Sequence, residues 1–152
     1  MLHKLIPAYK YYPWGGSRLK AEFGKQCDET ILAESWELSC HKDGATLLAS
    51  SGITLSQYIE ENPTVLGTME CLFSEFPIMV KLIDAEENLS VQVHPDDAYS
   101  WKHEGQLGKT EMWYIIDCSP DAYLYYGFSM DVTLEEFESA IANNILCTML
   151  IG

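Results

Sequence analysis

Residues 78–96 read IMVKLIDAEENLSVQVHPD, and their pattern decides what kind of fold the chain builds. Residues 78–83 and 89–93 are two short runs of strand-forming residues separated by the polar turn Asp84-Ala85-Glu86-Glu87-Asn88. Side chains on a strand alternate between two faces. Ser90, Gln92 and His94 therefore share one face, and Val91 and Val93 the other. The break at Pro95 leaves room for one or two helical turns over residues 96–104. Farther on, TEMWYII (110–116) and AYLYY (122–126) repeat the strand pattern around Asp117-Cys118-Ser119-Pro120-Asp121. Residues 133–144 switch to helical spacing, with Leu134, Phe137, Ala140 and Ile141 on one side and a Thr133/Glu136 capping box. Upstream, SWELS (35–39) and ATLLA (45–49) flank Lys42-Asp43-Gly44, a hairpin signal. Residues 54–61 begin with an N-cap threonine, carry Gln57 three residues on, and stop before Pro63, which predicts a short helix. Short strands, polar turns and a few helices predict a mainly β, antiparallel fold. A jelly roll suits it, because two packed sheets bury the alternating faces and limit open edges.

The 152 residues suit one domain with its own core, and 47% are hydrophobic, so disorder is not expected. The net charge is −14, from 23 acidic and 9 basic residues. Arg18 is the single arginine. Nucleic-acid binding needs a basic face and is excluded as an expectation. An anionic substrate would be repelled by the chain as a whole, so it would need lysines gathered locally. The start, MLHKLIPAYKYYPWGG, has neither the apolar run nor the cleavage site of a signal peptide, and no stretch is apolar enough to span a membrane. Cys27, Cys40, Cys71, Cys118 and Cys147 are scattered without a CxxC pair, which reads as free thiols in a reducing cytoplasm.

Several residues are suited to chemistry. His94 is the commonest kind of metal ligand, and the amide oxygen of Gln92 on the same face could join it. A solvated strand face with a surface histidine explains the same pattern. In Gly108-Lys109-Thr110-Glu111-Met112-Trp113-Tyr114, Lys109, Glu111 and Trp113 share a face. An inward carboxylate is costly unless paired or bound to metal, so Glu111 is a candidate ligand with Lys109 beside it for an anion. An ion pair facing water is the alternative. Lys81 interrupts an apolar strand and is either at an edge or a buried cation serving a ligand. Trp14-Gly15-Gly16 suggests a tight turn where backbone and ring approach something closely. Ser35, Glu37 and Ser39 alternate with Trp36 and Leu38, which predicts a core tryptophan and a polar outer face. His3, His41 and His103 lie in weaker contexts.

Taken together, five blocks resemble type I mannose-6-phosphate isomerases of the short bacterial kind. They are Trp14-Gly15-Gly16, Glu34-Ser35-Trp36-Glu37-Leu38-Ser39, residues 76–85 (FPIMVKLIDA), residues 89–97 (LSVQVHPDD) and residues 108–114 (GKTEMWY), in family order. The resemblance implies a cupin-type β fold and a metal-dependent interconversion of mannose 6-phosphate and fructose 6-phosphate, with zinc the usual divalent ion. It implies that His94 and Glu111 are metal ligands, with Gln92 at a further ligand position. Ser90, Lys81 and Lys109 match pocket residues, the two lysines suited to the substrate's phosphate or hydroxyl groups and to a catalytic role. A small-molecule sugar phosphate is the implied partner. Family members are longer, and their later half supplies another histidine ligand, in a Gly-x-x-His-Ala-type segment, and an arginine. Residues after Gly127 contain neither residue type. The expectation is that residues 1–152 form the N-terminal part of such an enzyme, with C-terminal strands absent and the barrel open at an edge. A non-catalytic cupin that binds a sugar, or an inactive fragment, are the alternatives.

Overall fold

The computed structural model describes residues 2–72 and 76–152, with residues 69–72 described by backbone alone. The chain divides into two units, Met1–Leu89 and Ser90–Gly152.

The first unit is built on two small antiparallel sheets. Strands β1 (Leu5–Ile6) and β4 (Leu47–Leu48) pair in one, and β2 (Ala8–Lys10), β3 (Glu34–Leu38) and β5 (Val80–Ile83) form the other in the order β2-β3-β5. Between them lie the single-turn helix α1 (Arg18–Ala21), helix α2 (Leu55–Glu61) and a 3-10 segment, Pro63–Leu72, kinked at Gly67. Helix α2 forms as its sequence predicts. The Thr54 hydroxyl accepts from the Gln57 N–H while the Gln57 side chain accepts from the Thr54 N–H, so two orphan donors of the first turn are satisfied.

The hairpin expected around Lys42-Asp43-Gly44 forms only in part. Gly44 N–H donates to the His41 carbonyl at 3.0 Å and Thr46 N–H to the Ser39 carbonyl at 2.9 Å. The two flanking strands then part, β3 joining β2 and β5 while β4 pairs with β1. The core gives the reason. A Cβ on Gly44 would lie 2.5 Å from the Trp36 ring, so the indole occupies the space at the turn. Burial is concentrated around β3: Leu32, Ala33, Ser35 and Ser39 are fully enclosed, and Trp36, Leu19 and Leu48 nearly so. Enclosing a leucine such as Leu32 stabilises the unit by about 1.5–3 kcal/mol. The polar outer face expected for Ser35, Glu37 and Ser39 is therefore corrected at the two serines, which are buried, while Glu37 stays part-exposed and paired with Lys25 at 2.6 Å. The buried hydroxyls stay satisfied locally, Ser35 donating to Glu37 Oε1 at 2.5 Å and Ser39 accepting from the His41 N–H at 3.1 Å.

The second unit holds helices α3 (Asp97–Glu104) and α4 (Leu134–Ala142) and a 3-10 turn, Leu146–Met149. Helix α3 starts at Asp96, whose carboxylate accepts from the Tyr99 N–H at 2.8 Å, and ends at Gly105 in the left-handed conformation. Helix α4 carries the predicted Thr133/Glu136 capping box. The backbone after the 3-10 turn runs beside Gly127: Tyr126 N–H donates to the Ile151 carbonyl and Ser129 N–H to that of Met149, both at 2.9 Å. The strand-like runs 89–93, 110–116 and 122–126 join no sheet among the described residues. Their apolar side chains lie open, Val93 at 81%, Met112 at 87%, Tyr114 at 83% and Tyr126 at 86% exposure. Alternation specifies which face a strand would bury. A ladder also needs a neighbouring strand to take its N–H and C=O groups.

Candidate functional site

In the first unit, sheet register assembles a cluster around Trp36. Trp36 lies opposite Lys81 on β5 and Ala8 on β2, and Glu34 lies opposite Lys10 and Ile83. Paired residues and residues two apart share a face, so Lys10, Glu34, Trp36 and Lys81 meet on one side. The Glu34 carboxylate accepts from the Trp36 indole N–H at 2.6 Å and from the Lys81 ammonium at 3.2 Å. Both ammonium groups, of Lys10 and Lys81, stand 4.5 Å from the centre of the Trp36 ring, within cation–π range. Lys10 also donates to the Asp43 carbonyl. Lys81 thus stands on the outer strand of the β2-β3-β5 sheet, as one of its two readings had it, with its ammonium largely enclosed by a carboxylate and an aromatic face.

Trp14-Gly15-Gly16 makes the close approach expected of it. Gly15 packs so tightly on Ala33 that a Cβ would lie 2.6 Å from its Cα. A Cβ on Gly16 would meet the Asp84 carboxylate at the same distance, and that carboxylate accepts from the Arg18 N–H at 2.7 Å. Trp14 stacks on Tyr12 with ring centres 5.4 Å apart.

In the second unit, His94, Lys109 and Glu111 converge. His94 Nε2 is 3.1 Å from Glu111 Oε2, and the Lys109 ammonium is 3.0 Å from Glu111 Oε1. Partial burial pushes the Glu111 carboxyl up, but the Lys109 ammonium, the Trp113 side chain and His94 together outweigh it and hold the carboxyl below its ordinary value. Gln92 does not join this contact. Its amide nitrogen donates to Ser90 Oγ at 2.9 Å, which leaves the amide oxygen as the atom it could offer to a cation. His3 bonds to the Tyr58 hydroxyl at 2.9 Å, His41 packs edge-on to Trp36, and His103 stacks on Tyr99.

The fit to a divalent metal is a matter of donor type and spacing. An imidazole nitrogen and a carboxylate oxygen are donors zinc takes, and two such atoms in one tetrahedral shell lie about 3.3 Å apart. The 3.1 Å contact between His94 and Glu111 is close to that separation. No group of three or more His, Cys, Asp or Glu side chains converges among the described residues. The chain thus fits a metal through two side chains, with Gln92 close in sequence. Asp96, Asp97 and Gly108 lie within the sequence blocks 89–97 and 108–114 but carry no role from the sequence alone; in the structure they close the loop between the two donors. Their signal was a pair of aspartates after a proline and a glycine before a lysine.

The model of the phosphomannose isomerase type I catalytic domain matches residues 2–124. The chain is 42% identical over 147 residues to the probable mannose-6-phosphate isomerase GmuF of Bacillus subtilis (strain 168), covering 93% of this chain and 46% of that one. Among solved structures, the mannose 6-phosphate isomerase from Bacillus subtilis superposes with a TM-score of 0.88 at 36% identity, over 97% of this chain and 47% of that one. A mannose 6-phosphate isomerase bound with zinc and yttrium superposes with a TM-score of 0.58 at 27% identity, over 68% of this chain and 28% of its own. The chain therefore spans less than half the length of these relatives.

Proposed function

This chain belongs to the type I phosphomannose isomerase family, and from that premise we propose that it supplies part of the active site of a metal-dependent isomerase of mannose 6-phosphate and fructose 6-phosphate. The observation that carries the proposal is the meeting of His94, Glu111 and Lys109, at 3.1 and 3.0 Å, in a chain whose family matches that chemistry. His94 and Glu111 are the proposed metal ligands and Gln92 a third. Zinc is the ion they suit best by donor type, and a relative's structure contains it. Bound there, a divalent ion supplies Lewis-acid stabilisation of charge on a sugar oxygen.

The rest is work for the chain's own groups. Aldose–ketose isomerisation moves a proton between two adjacent carbons, so the sugar must be held still while charge shifts between its oxygens. The Lys109 ammonium has three donors and spends one on Glu111, leaving others for substrate hydroxyl or phosphate oxygens. Lys81 has the same proposed role, with Glu34 and the Trp36 face fixing its ammonium. Ser90, held by Gln92, presents a hydroxyl for the sugar. In a chain of net charge −14, each of these lysines is a local positive charge of the kind a phosphate needs.

We further propose that residues 1–152 are the N-terminal part of a cupin-type jelly roll, and that the remaining metal donor and the strands facing runs 110–116 and 122–126 lie outside them. The exposed apolar side chains of those runs support this reading, as does the count of two converging donors. The enzyme is expected in the cytoplasm; no helix among the described residues is long and apolar enough to cross a membrane.

The test is to add zinc, manganese or cobalt to the purified chain and follow both conversion of mannose 6-phosphate and hydrogen exchange at its C2. The chain alone is expected to bind metal and turn over poorly. Turnover within about tenfold of a longer family member would overturn the proposal of an incomplete site, since loss of even an outer-shell support of a metal ligand typically costs about 10–100-fold. Sugar binding without any exchange at C2 would favour a sugar-binding module over an isomerase.

A further inference from the structure

His94 and Glu111 are 17 positions apart, and neither lies in a strand ladder or a helix. Sheet register therefore does not hold their side chains together. The loop between them does. Helix α3 leaves from Asp96 and returns through Gly105, and its ends are tied across the gap. The Asp97 carboxylate accepts from the Gly108 N–H at 2.8 Å. The Lys109 N–H donates to the Pro95 carbonyl at 3.3 Å. The buried Ser100 hydroxyl donates to the Leu107 carbonyl at 3.2 Å. Gly108 has no room for a side chain: a Cβ would lie 2.5 Å from the Asp96 carbonyl carbon, 2.6 Å from Pro95 O and 2.7 Å from Asp97 N. These are backbone atoms and cannot swing aside as a side-chain tip can.

We infer that Asp97 and Gly108 form a positioning clamp that sets the separation of the His94 and Glu111 donor atoms. The inference rests on the reading of those two side chains as metal ligands. His94-Pro95 enters the clamp and Lys109-Thr110-Glu111 leaves it, so two residues of backbone connect it to each ligand at most. Releasing the carboxylate or forcing a methyl group into the contact moves one ligand relative to the other. Neither Asp97 nor Gly108 touches the metal or the sugar in this role.

Asp97 also stands in the first turn of α3, where any negative charge favours the helix. The two roles separate by substitution. A clamp needs an acceptor oxygen at the length of an aspartate arm, so Asp97→Asn preserves it and Asp97→Glu, one methylene longer, does not. A charge role has the opposite ranking.

The experiment uses the isotope-labelled 152-residue chain in two measurements. Without metal, NMR cross-relaxation between the His94 ring and the Glu111 side chain reads the geometry directly. Cobalt titration then reads affinity. The parent and Asp97→Asn are expected to show the cross-peaks and to bind cobalt alike. Asp97→Ala and Gly108→Ala are expected to lose the cross-peaks and bind cobalt about tenfold more weakly or worse, the scale of a lost supporting contact. If Asp97→Ala fails to fold, the Asn and Glu variants decide alone. Cross-peaks retained in Asp97→Glu and Gly108→Ala, or lost in Asp97→Asn, would overturn the clamp. Cross-peaks that follow the expected pattern in a chain that binds no cobalt would leave the clamp standing and remove the metal reading. Cobalt binding indifferent to all four variants, with cross-peaks unchanged, would remove the clamp and leave the metal reading.

Discussion

Replacing Glu34 tests whether the enclosed cluster around Trp36 holds the first unit together. The Glu34 side chain is 10% exposed and that of Lys81 is 20% exposed. Glu34→Ala removes two contacts at once. The Trp36 indole N–H, bonded at 2.6 Å, loses its acceptor, which costs about 1–3 kcal/mol for a buried donor left unsatisfied. The Lys81 ammonium loses its carboxylate at 3.2 Å. Breaking a fully buried pair costs about 3–5 kcal/mol. Lys81 keeps a fifth of its side chain in water and the Trp36 face at 4.5 Å, so its share falls to about 1–2 kcal/mol. The two losses are not independent, and together they come to about 2–4 kcal/mol. Glu34→Gln keeps an acceptor for the indole and removes only the charge, so it should cost about 1–2 kcal/mol. Urea denaturation followed by tryptophan emission and far-UV circular dichroism gives both values. A Glu34→Gln/Lys81→Met double-mutant cycle should return a coupling of about 1 kcal/mol between the two side chains. If Gln costs as much as Ala, the indole hydrogen bond contributes nothing. If the coupling is zero, the ion pair is a geometric accident and Lys81 owes its position to packing alone.

Three further outcomes follow from the structure. Gly15→Ala should destabilise the first unit by about 1–3 kcal/mol, measured by the same denaturation, because the new methyl meets Ala33 backbone at 2.6–2.7 Å. The Glu136 carboxyl is held below its ordinary value by the Thr133 backbone N–H and then by the Thr133 hydroxyl; a lowered folded-state value means that the stability it lends is present above the ordinary carboxyl range and is lost as pH falls through the lowered value. The helical signal of α4 should therefore fade on acidification in the parent chain and respond less in Glu136→Gln, which keeps the capping-box geometry. In a complete enzyme of this family, the counterpart of Lys109→Ala should raise KM for the phosphorylated sugar more than for the free sugar, and steady-state kinetics showing equal effects would remove the phosphate role.

Local signals carried far in this chain. The capping boxes at Thr54/Gln57 and Thr133/Glu136 define helix starts through contacts within four residues, so they are readable without any knowledge of the fold. The tight packing at Trp14-Gly15-Gly16 was readable for a similar reason, since a glycine pair beside an indole has few other uses. His94, Lys109 and Glu111, which converge in the second unit, are legible in the sequence as candidates through alternation and singled out by the family resemblance. What the sequence could not decide was partnership. Ser35 and Ser39 alternate with apolar residues as an exposed face would, yet they are buried, their hydroxyls satisfied by Glu37 and by the His41 N–H and not by water. The runs at 89–93, 110–116 and 122–126 have strand chemistry and no ladder among the described residues, because pairing depends on a neighbour and not on the segment itself. Lys81 lies on the outer strand β5, and only register, which sets it opposite Trp36 and within reach of Glu34, encloses its ammonium there. Only the tertiary structure showed how Asp97 and Gly108 tie the loop that joins His94 to Glu111, since an acceptor and a donor 11 positions apart leave no periodic trace in sequence.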